Sequence, residues 1–382
     1  MKPKVLLAVT VYNGRSFVGR ALESARRVST ASADVDVLAL DDCSPEPGFS
    51  EWLAGVCGGL GVMHYRSPRN LGIVRNVNLG LLYALEEGYD HVIIANSDVI
   101  FPANLVDEML RALASDERIG SVTAWSNNVS VYSLPNVDPD SYLADQNVVD
   151  WVSATLAGWY SGTAIDIPAG ISFAILIPTA VLHRVGVMDT IYGRGYCEET
   201  DWSLRSLATG YRITLAPAAF VYHAGRGSTL AAGLVAGGHS TVPENEAVID
   251  LRYPLFRSQV GAFVASGVLE EAHQGAIRAI VRAGGRQFGY DVEVGWLASA
   301  ARSARVQCLV APDARPIVRA SFLGFSWTLG DVGLDVAAVL HEEFGGPPTA
   351  VNLLERNTVA DRVAGGFGLE RVQRRRNYPT RV

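Results

Sequence analysis

The chain has 382 residues, of which 49% are hydrophobic and 19% are charged, and its net charge is −7. This length exceeds one ordinary folded core, so we expect two domains, or one large α/β domain with an extension. The negative charge argues against a nucleic-acid-binding surface, because such surfaces are basic.

Cysteine spacing and hydropathy indicate a cytoplasmic protein. The four cysteines include no C-x-x-C pair, which is typical of reduced thiols in the cytosol. No stretch of about 18 apolar residues occurs, so the sequence predicts no transmembrane helix. Peripheral contact with a membrane stays open.

Apolar runs alternate with helical spacing over the first hundred residues. The predicted strands are 5–10, 35–40, 62–65 and 91–95, and the predicted helices are 17–28 and 74–87. Continuous apolar runs are typical of parallel strands that are buried on both faces. The alternation predicts an α/β fold with a mostly parallel sheet flanked by helices. The stretch 126–170 lacks periodicity, and we expect a functional loop there.

Polar residues follow three of these strands. They are Thr10, Tyr12 and Asn13 after the first, Asp41 and Asp42 after the second, and Asn96 and Asp98 after the fourth. Ligands of such sheets bind outside the carboxyl ends of the strands. The first strand has neither a G-x-G-x-x-G nor a P-loop pattern after it, which argues against nicotinamide dinucleotides and P-loop nucleotides. The acidic strand ends favour a nucleotide held through its base and ribose, with a divalent metal on its phosphates.

Three carboxylates lie within four positions at Glu198, Glu199 and Asp201. On a helix, Asp201 and Arg205 stand four residues apart and can pair, whereas Glu199 points elsewhere. A protein can separate acid and base roles by pairing one carboxylate with an arginine and leaving another near an apolar ring. The alternative is a charged helix start, since acidic residues favour that position.

The pattern changes after about residue 230. Residues 231–238 are small and are typical of a linker, and the rest predicts a mainly helical region. Its predicted helices are 244–264 and 269–282, and its predicted strands are 306–311, 317–320 and 350–354. We therefore expect a catalytic domain at 1–230 and an accessory region at 231–382, which forms an acceptor wall or an oligomer contact.

Seven motifs in this order resemble the family 2 glycosyltransferases of the GT-A fold. They are Val9–Asn13, Asp41–Ser44, Arg69–Gly72 with Arg75 and Asn76, Asn96–Asp98, Gly186–Asp189, Glu198–Trp202, and His223 with Gly227 and Ser228. The resemblance runs from Val5 to about Ser228, and the rhamnosyltransferase-like branch is the most similar. It implies a nucleotide-binding half at 1–100 and an acceptor half at 101–230.

The resemblance implies roles for the strand-end residues. Asp42 would accept the imide N–H of a uracil or thymine ring, with Thr10, Tyr12 and Asn13 beside the base and Arg75 near the base or phosphates. Asn96 stands where the family has the first acid of its Asp-x-Asp motif, and Asp98 would be the metal ligand. His223 matches a late metal-site histidine. The implied cofactor is Mn²⁺ or Mg²⁺, which prefers oxygen ligands.

The resemblance also assigns the general base to the acidic cluster. Glu199 matches the family's catalytic acid, while Glu198 and Asp201 stay open as alternatives. Asp201 is also a candidate for a structural pair with Arg205. Trp202 and Gly170 would line the acceptor site.

The predicted function is that of an inverting, metal-dependent glycosyltransferase. It would move a hexosyl or deoxyhexosyl group from a UDP- or dTDP-sugar to a hydroxyl of a natural-product or glycan acceptor. One alternative is a non-catalytic scaffold that binds a nucleotide sugar. In that case Asn96, in place of the family's first acid, would mark the loss of metal chemistry. Another is a sugar-phosphate nucleotidyltransferase, but Tyr12–Arg15 lacks the glycine-rich first loop of such enzymes. A homodimer stays open.

Overall fold

The computed structural model describes residues 2–28, 30–129, 131–134, 143–225, 242–296, 304–311, 316–329, 332, 335–354 and 358–368. The chain divides into two compact units, the first ending at Ala272 and the second beginning at His273. The boundary predicted at residue 230, the linker at 231–238, and Gly227 and Ser228 lie outside the described residues. No described helix is both long and apolar enough to cross a lipid bilayer.

The first unit is built on an eight-stranded sheet with the order β3-β2-β1-β4-β8-β6-β9-β7. Its strands are β1 Lys4–Val11, β2 Asp34–Asp41, β3 Met63–Arg66, β4 His91–Asn96, β6 Ile119–Trp125, β7 Ile165–Asp166, β8 Ala174–Pro178 and β9 Arg212–Phe220. β5 (Val99–Ile100) and β10 (Tyr222–His223) form a separate antiparallel pair. β1, β2, β3 and β4 are parallel, as are β6 and β9. The predicted mostly parallel sheet is confirmed.

Helices cover both faces of this sheet. They are α1 Arg15–Arg27, α2 Phe49–Leu60, α3 Ile73–Glu86, α4 Leu105–Leu113, α5 Gln146–Tyr160, α6 Thr179–Val185, α7 Glu198–Ala208, α8 Val242–Arg252 and α9 Phe256–Ala265. One apolar core joins alternate residues of β1 with α1, α2 and α4. On the other face, α3 approaches the sheet closely at Gly80, where a Cβ would lie 3.1 Å from the Cβ of Ala8. α3 therefore holds its first turn close to the ends of the strands.

Two sequence predictions in the first unit differ from the structure. The stretch 126–170 contains α5, whose start is capped by the Asp145 side chain, which accepts hydrogen bonds from two backbone amides. The helix predicted at 244–264 is two helices, α8 and α9. They are separated at Pro254, because a proline disfavours helical geometry at the residue before it and lacks an N–H.

The second unit combines helices with a five-stranded sheet of order β14-β13-β12-β11-β15. The strands are β11 Tyr290–Val294, β12 Val306–Ala311, β13 Ile317–Phe322, β14 Phe325–Leu329 and β15 Ala350–Leu353. Three helices belong wholly or mostly to this unit: α10 Val268–Phe288, α11 Val336–Phe344 and α12 Thr358–Gly366. The predicted helical character is confirmed, and the three predicted strands prove to be part of a complete sheet.

Candidate active site

A cavity of about 510 Å³ lies at the carboxyl ends of β1, β2 and β4 in the first unit. The strand register brings the polar ends together, because Thr10 pairs with Asn96 and Val11 pairs with Asp41. Seven of the predicted site residues line the cavity: Thr10, Tyr12, Asp42, Asn96, Glu198, Glu199 and His223. The structure therefore joins the strand ends, the acidic cluster and the late histidine around one space.

Asp42 fixes one wall of this cavity. Its Oδ1 accepts a hydrogen bond from the amide of Leu71 at 2.6 Å, and its Oδ2 accepts one from the amide of Gly72 at 2.9 Å. Burial raises the pKa of Asp42, although these two amides and the charge of Arg194 oppose the rise. Each carboxylate oxygen can accept a second hydrogen bond. Asp42 can therefore hold the start of α3 and still accept from a ligand.

Asp41 is the structural member of the acidic pair. It is fully buried, its Oδ1 accepts from the amide and hydroxyl of Ser44, and its Oδ2 pairs with Arg66 at 2.5 Å. Its carboxylate is thus committed to closing the turn after β2. This agrees with the expectation that Asp42, rather than Asp41, faces the ligand.

Asp98 and His223 approach each other beside Asn96. The pairing of β5 with β10 places His223 opposite Val99, and His223 Nε2 lies 3.2 Å from Asp98 Oδ1. The Asn96 carboxamide lies 3.4 Å from the same Nε2. Asp98 is only 3% exposed, and its Oδ2 has no hydrogen-bond partner among the described residues.

A pair of asparagines fixes the His223 ring. Asn127 exchanges two hydrogen bonds with the His223 backbone, at 2.8 and 3.1 Å. His223 Nδ1 lies 2.8 Å from the carbonyl oxygen of Asn128. Because a carbonyl only accepts, Nδ1 carries the hydrogen, and the neutral ring presents a lone pair at Nε2. Two acceptors, Nε2 and a carboxylate oxygen, then face each other at 3.2 Å.

This contact needs a positive charge. Burial lowers the pKa of His223, but the Asp98 carboxylate and the Asn128 carbonyl outweigh burial and raise the pKa above its usual value. A proton on Nε2 satisfies the pair, and so would a divalent cation. Among the described residues no group of three or more His, Cys, Asp or Glu side chains has metal-binding geometry, so Asp98 and His223 provide two protein ligands at most. The donor set therefore fits a metal that takes its remaining ligands from a bound substrate and water.

Glu198 and Glu199 occupy the opposite side of the cavity. Glu198 is 4% exposed, and burial together with the charge of Glu199 raises its pKa well above 4.5. Burial also raises the pKa of Glu199, but its own amide, Ser172 and the Glu198 carboxyl oppose the rise. The Ser172 hydroxyl donates to Glu199 Oε1 at 3.4 Å. Glu199 Oε2 is buried and, within the described chain, has no hydrogen-bond partner.

Asp201 and Trp202, predicted as an alternative base and as a residue of the acceptor site, do not line the cavity. Asp201 is fully buried and accepts hydrogen bonds from Tyr192, Arg205, Arg252 and Tyr253. Trp202 is also fully buried, and its indole Nε1 donates to the carbonyl of Gly186 at 2.8 Å. The predicted pair of Asp201 with Arg205 is present at 2.8 Å.

Four further predicted site residues do not line the cavity: Asn13, Gly170, Arg75 and Asp98. Asn13 holds the turn after β1, since its amide donates to Ser44 Oγ and its Oδ1 accepts from the amide of Glu46. Gly170 is buried, and a Cβ there would lie 2.7 Å from Ile175 Cδ1. Arg75 is exposed on α3. The ligand-binding roles predicted for Asn13, Gly170 and Arg75 stay predictions.

Sequence reasoning missed several residues that shape the site. Arg194 and Tyr196 line the cavity just before the acidic cluster, and Ser172 lines it beside Glu199. Asn128 lines it next to His223. None of them belongs to a recognisable motif. The available signal was position, because Arg194 and Tyr196 directly precede the acidic cluster.

Residues 7–163 match the sequence model of the family described as Glycosyl transferase family 2. The match covers less than half of the chain, and it includes the strands that carry Thr10, Asp42 and Asn96. The observed mostly parallel sheet with helices on both faces has the architecture that the sequence predicts. No curated protein matches the chain.

Two solved structures are similar to this chain. The crystal structure of GalNAc-T7 with UDP, GalNAc and Mn²⁺ is 15% identical, with a TM-score of 0.46 over 58% of this chain and 44% of that chain. The mannosyltransferase PcManGT from Pyrobaculum calidifontis, in complex with GDP-Man and Mn²⁺, is 16% identical, with a TM-score of 0.46 over 74% of this chain and 76% of that chain. This chain thus spans less than half the length of the first structure.

Proposed function

We propose that the chain is an inverting, metal-dependent glycosyltransferase that uses a UDP- or dTDP-sugar. The observation that carries this proposal is that one cavity is lined by Glu199, which has an oxygen without a partner among the described residues, and by Asn96 and His223, whose Nε2 lies 3.2 Å from Asp98 Oδ1. Such a transfer needs a base for the acceptor and charge neutralisation for the leaving diphosphate. The family match over residues 7–163 supports the same reaction class.

The donor nucleotide would lie along the ends of β1, β2 and β4. Asp42 is the acceptor for a uracil or thymine imide N–H, and Thr10 and Tyr12 flank the same wall. Asp98 and His223 would hold Mn²⁺ or Mg²⁺, with Asn96 beside them. When bound, that ion neutralises charge on the diphosphate.

Glu199 would act as the general base. As the acceptor oxygen bonds to the anomeric carbon, its proton passes to Glu199 Oε2, and the bond from the anomeric carbon to the diphosphate breaks with the electron pair leaving on the diphosphate. Attack from the face opposite the diphosphate inverts the anomeric configuration. Glu198 stays protonated beside Glu199, since burial and its neighbour's charge raise its pKa. One ionised carboxylate is therefore available as the base.

The finer assignments belong to the same proposal. The transferred group would be a hexosyl or deoxyhexosyl residue, as in the rhamnosyltransferase-like branch, and the acceptor a hydroxyl of a natural product or a glycan. The halves at 1–100 and 101–230 would bind nucleotide and acceptor. A cytoplasmic location with peripheral membrane contact, and a homodimer, stay predictions.

The proposal is tested by a thermal-shift screen of nucleotide sugars with and without Mn²⁺. A ligand at 100 times its Kd stabilises a protein by about 2.7 kcal/mol, so the right donor raises the melting temperature, and it does so only with metal present. Asp98→Asn should abolish the metal-dependent shift. Asp34→Asn, an exposed carboxylate at the amino end of β2, is the matched control and should keep it.

Nucleotide release from the donor identified by the screen then separates the alternatives. Turnover supports the transferase. A metal-dependent shift without nucleotide release in the presence of any acceptor hydroxyl would favour the non-catalytic scaffold instead. An equal shift in wild type and Asp98→Asn would refute the proposed metal site.

A further inference from the structure

The segment that leads into the acidic cluster has an unusual backbone. Tyr196 and Cys197 have φ values of 71° and 74°, so two consecutive residues with side chains adopt the left-handed region. That region is uncommon for residues other than glycine and persists where surrounding contacts enforce it. At Gly195 a Cβ would lie 2.3 Å from Ile73 Cγ2, so this segment also presses against the start of α3. α7 begins at Glu198, directly after these residues.

A single side chain from α8 holds this segment. The Asn245 carboxamide nitrogen lies 3.0 Å from the carbonyl oxygen of Tyr192, 2.7 Å from that of Gly195 and 2.9 Å from that of Tyr196. Asn245 is only 6% exposed. Its NH₂ group has two hydrogens, so three acceptors share two donors. These carbonyls lie three to seven residues before Glu199, and that of Tyr192 also accepts from the amide of Gly195 at 3.0 Å.

The far end of α8 is attached to the same region by charge. Arg252 Nη1 lies 2.9 Å from Asp201 Oδ1 and 2.8 Å from Asp189 Oδ2. The Tyr253 hydroxyl donates to Asp201 Oδ1 at 2.9 Å. α8 therefore contacts the segment before α7 through Asn245 and the first turn of α7 through Arg252. Between these two contacts lie Glu198 and Glu199.

We infer that α8 is the positioning element of the candidate base, and that Asn245 is the residue that fixes the Tyr192–Cys197 segment so that the Glu199 side chain lines the cavity. The inference rests on the proposed function for its catalytic consequence. α8 lies outside residues 7–163, so the family match does not include it. It gives a specific role to a part of the chain that was predicted to be an accessory region.

The test variant is Asn245→Asp, which keeps the size and shape of the side chain. It replaces the donor with a carboxylate that repels the three carbonyls. We expect amide hydrogen exchange in residues 193–201 to accelerate at least about tenfold, and kcat for nucleotide release to fall roughly 10-fold to 100-fold, because a small misplacement of a catalytic group costs about that much. The dissociation constant of the donor should change less than about threefold. The acid limb of the kcat–pH profile should also move.

Asn78→Asp is the matched control. Asn78 is likewise buried, and its carboxamide exchanges two hydrogen bonds of 2.9 Å with the backbone of Met188, outside the Tyr192–Cys197 segment. It should lower the melting temperature about as much as Asn245→Asp while leaving kcat and exchange in 193–201 nearly unchanged. Asn245→Ala, which adds no charge, serves if the aspartate variant does not fold, and it should show the same pattern with smaller changes.

The two proposals fail in different ways. Unchanged exchange in residues 193–201 of both Asn245 variants overturns the positioning role, whatever the activity. A loss of kcat in Asn78→Asp equal to that in Asn245→Asp also overturns it, because the effect would then reflect stability alone. If wild type releases no nucleotide but exchange accelerates as expected, the positioning contact stands and the proposed transferase function fails.

Discussion

The two sides of α7 carry carboxylates that lie two residues apart and have opposite surroundings. Glu199 faces the cavity, and one of its oxygens is without a partner among the described residues. Asp201 faces the protein interior and accepts from two arginines and two tyrosines. Burial raises the pKa of both, but the donors around Asp201 outweigh burial and lower its pKa, whereas Glu199 keeps a raised pKa.

This contrast shows how one helical turn separates a reactive group from a structural one. Burial acts on both carboxylates alike, so the number of donors around each decides its charge and reactivity. The saturated carboxylate holds α7 in place, and the unsaturated one can take a proton. The predictions below test this division, beginning with the largest expected effect.

Removing the carboxylate of Glu199, which lines the cavity, should nearly abolish turnover. In Glu199→Gln we expect nucleotide release to fall about 10²-fold to 10⁴-fold, the usual contribution of a general base, with donor affinity nearly unchanged. Steady-state kinetics and donor titration measure the two quantities. Glu51→Gln is the control, because Glu51 also lies in the first turn of a helix but is exposed. A Glu199→Gln enzyme with normal turnover would end the assignment.

Removing the carboxylate of Asp201, which faces the protein interior, should lower the stability of the protein. Asp201→Asn leaves Arg205 and Arg252 without their shared carboxylate, and we expect the free energy of unfolding to fall by about 2–4 kcal/mol, as when one partner of a buried pair is removed. Chemical denaturation measures this. Asp250→Asn breaks the exposed pair with Arg257 and should change stability little. Equal effects of the two substitutions would contradict the structural role of Asp201.

The pH dependence of kcat should report Glu199 alone. A base must be ionised, and the pKa of Glu199 is raised above 4.5, so activity should fall about tenfold per pH unit below that raised pKa. The Ser172 hydroxyl stabilises the charged form. Ser172→Ala should therefore move the acid limb to higher pH. A shift to lower pH, measured in buffers of constant ionic strength, would show that another group controls this limb.

The smallest expected effect is a gain in stability on the cavity side. The pKa of Glu198 is raised in the folded state, so its contribution to stability is present below pH 4.5 and is lost as pH rises through the folded-state pKa. Because glutamine does not ionise, Glu198→Gln has no such loss of stability, and it should raise the melting temperature at neutral pH. Glu86→Gln, at an exposed position of α3, should not. A lower melting temperature for Glu198→Gln would show that the Glu198 carboxyl stabilises the fold at neutral pH.

Sequence periodicity was sufficient where burial alone determines structure. The apolar runs of β1, β2 and β4 predicted a parallel sheet, and the polar residues after them predicted where a ligand would lie, because strand ends meet at one edge. The start of α5 was missed, since its capping residue Asp145 follows a stretch without periodicity. The break between α8 and α9 was also missed, although Pro254 is a helix-breaking residue.

The sequence by itself determined that Glu198, Glu199 and Asp201 lie close together and that Asp201 can pair with Arg205. Local spacing is enough for that, because residues four apart on a helix are neighbours. Only the tertiary structure decided which carboxylate faces the cavity, because that depends on donors distant in sequence, such as Arg252 and Tyr253. The same is true of the Asn245 contact, since a buried asparagine carries no sequence signal until its three carbonyl partners are brought to it by the fold.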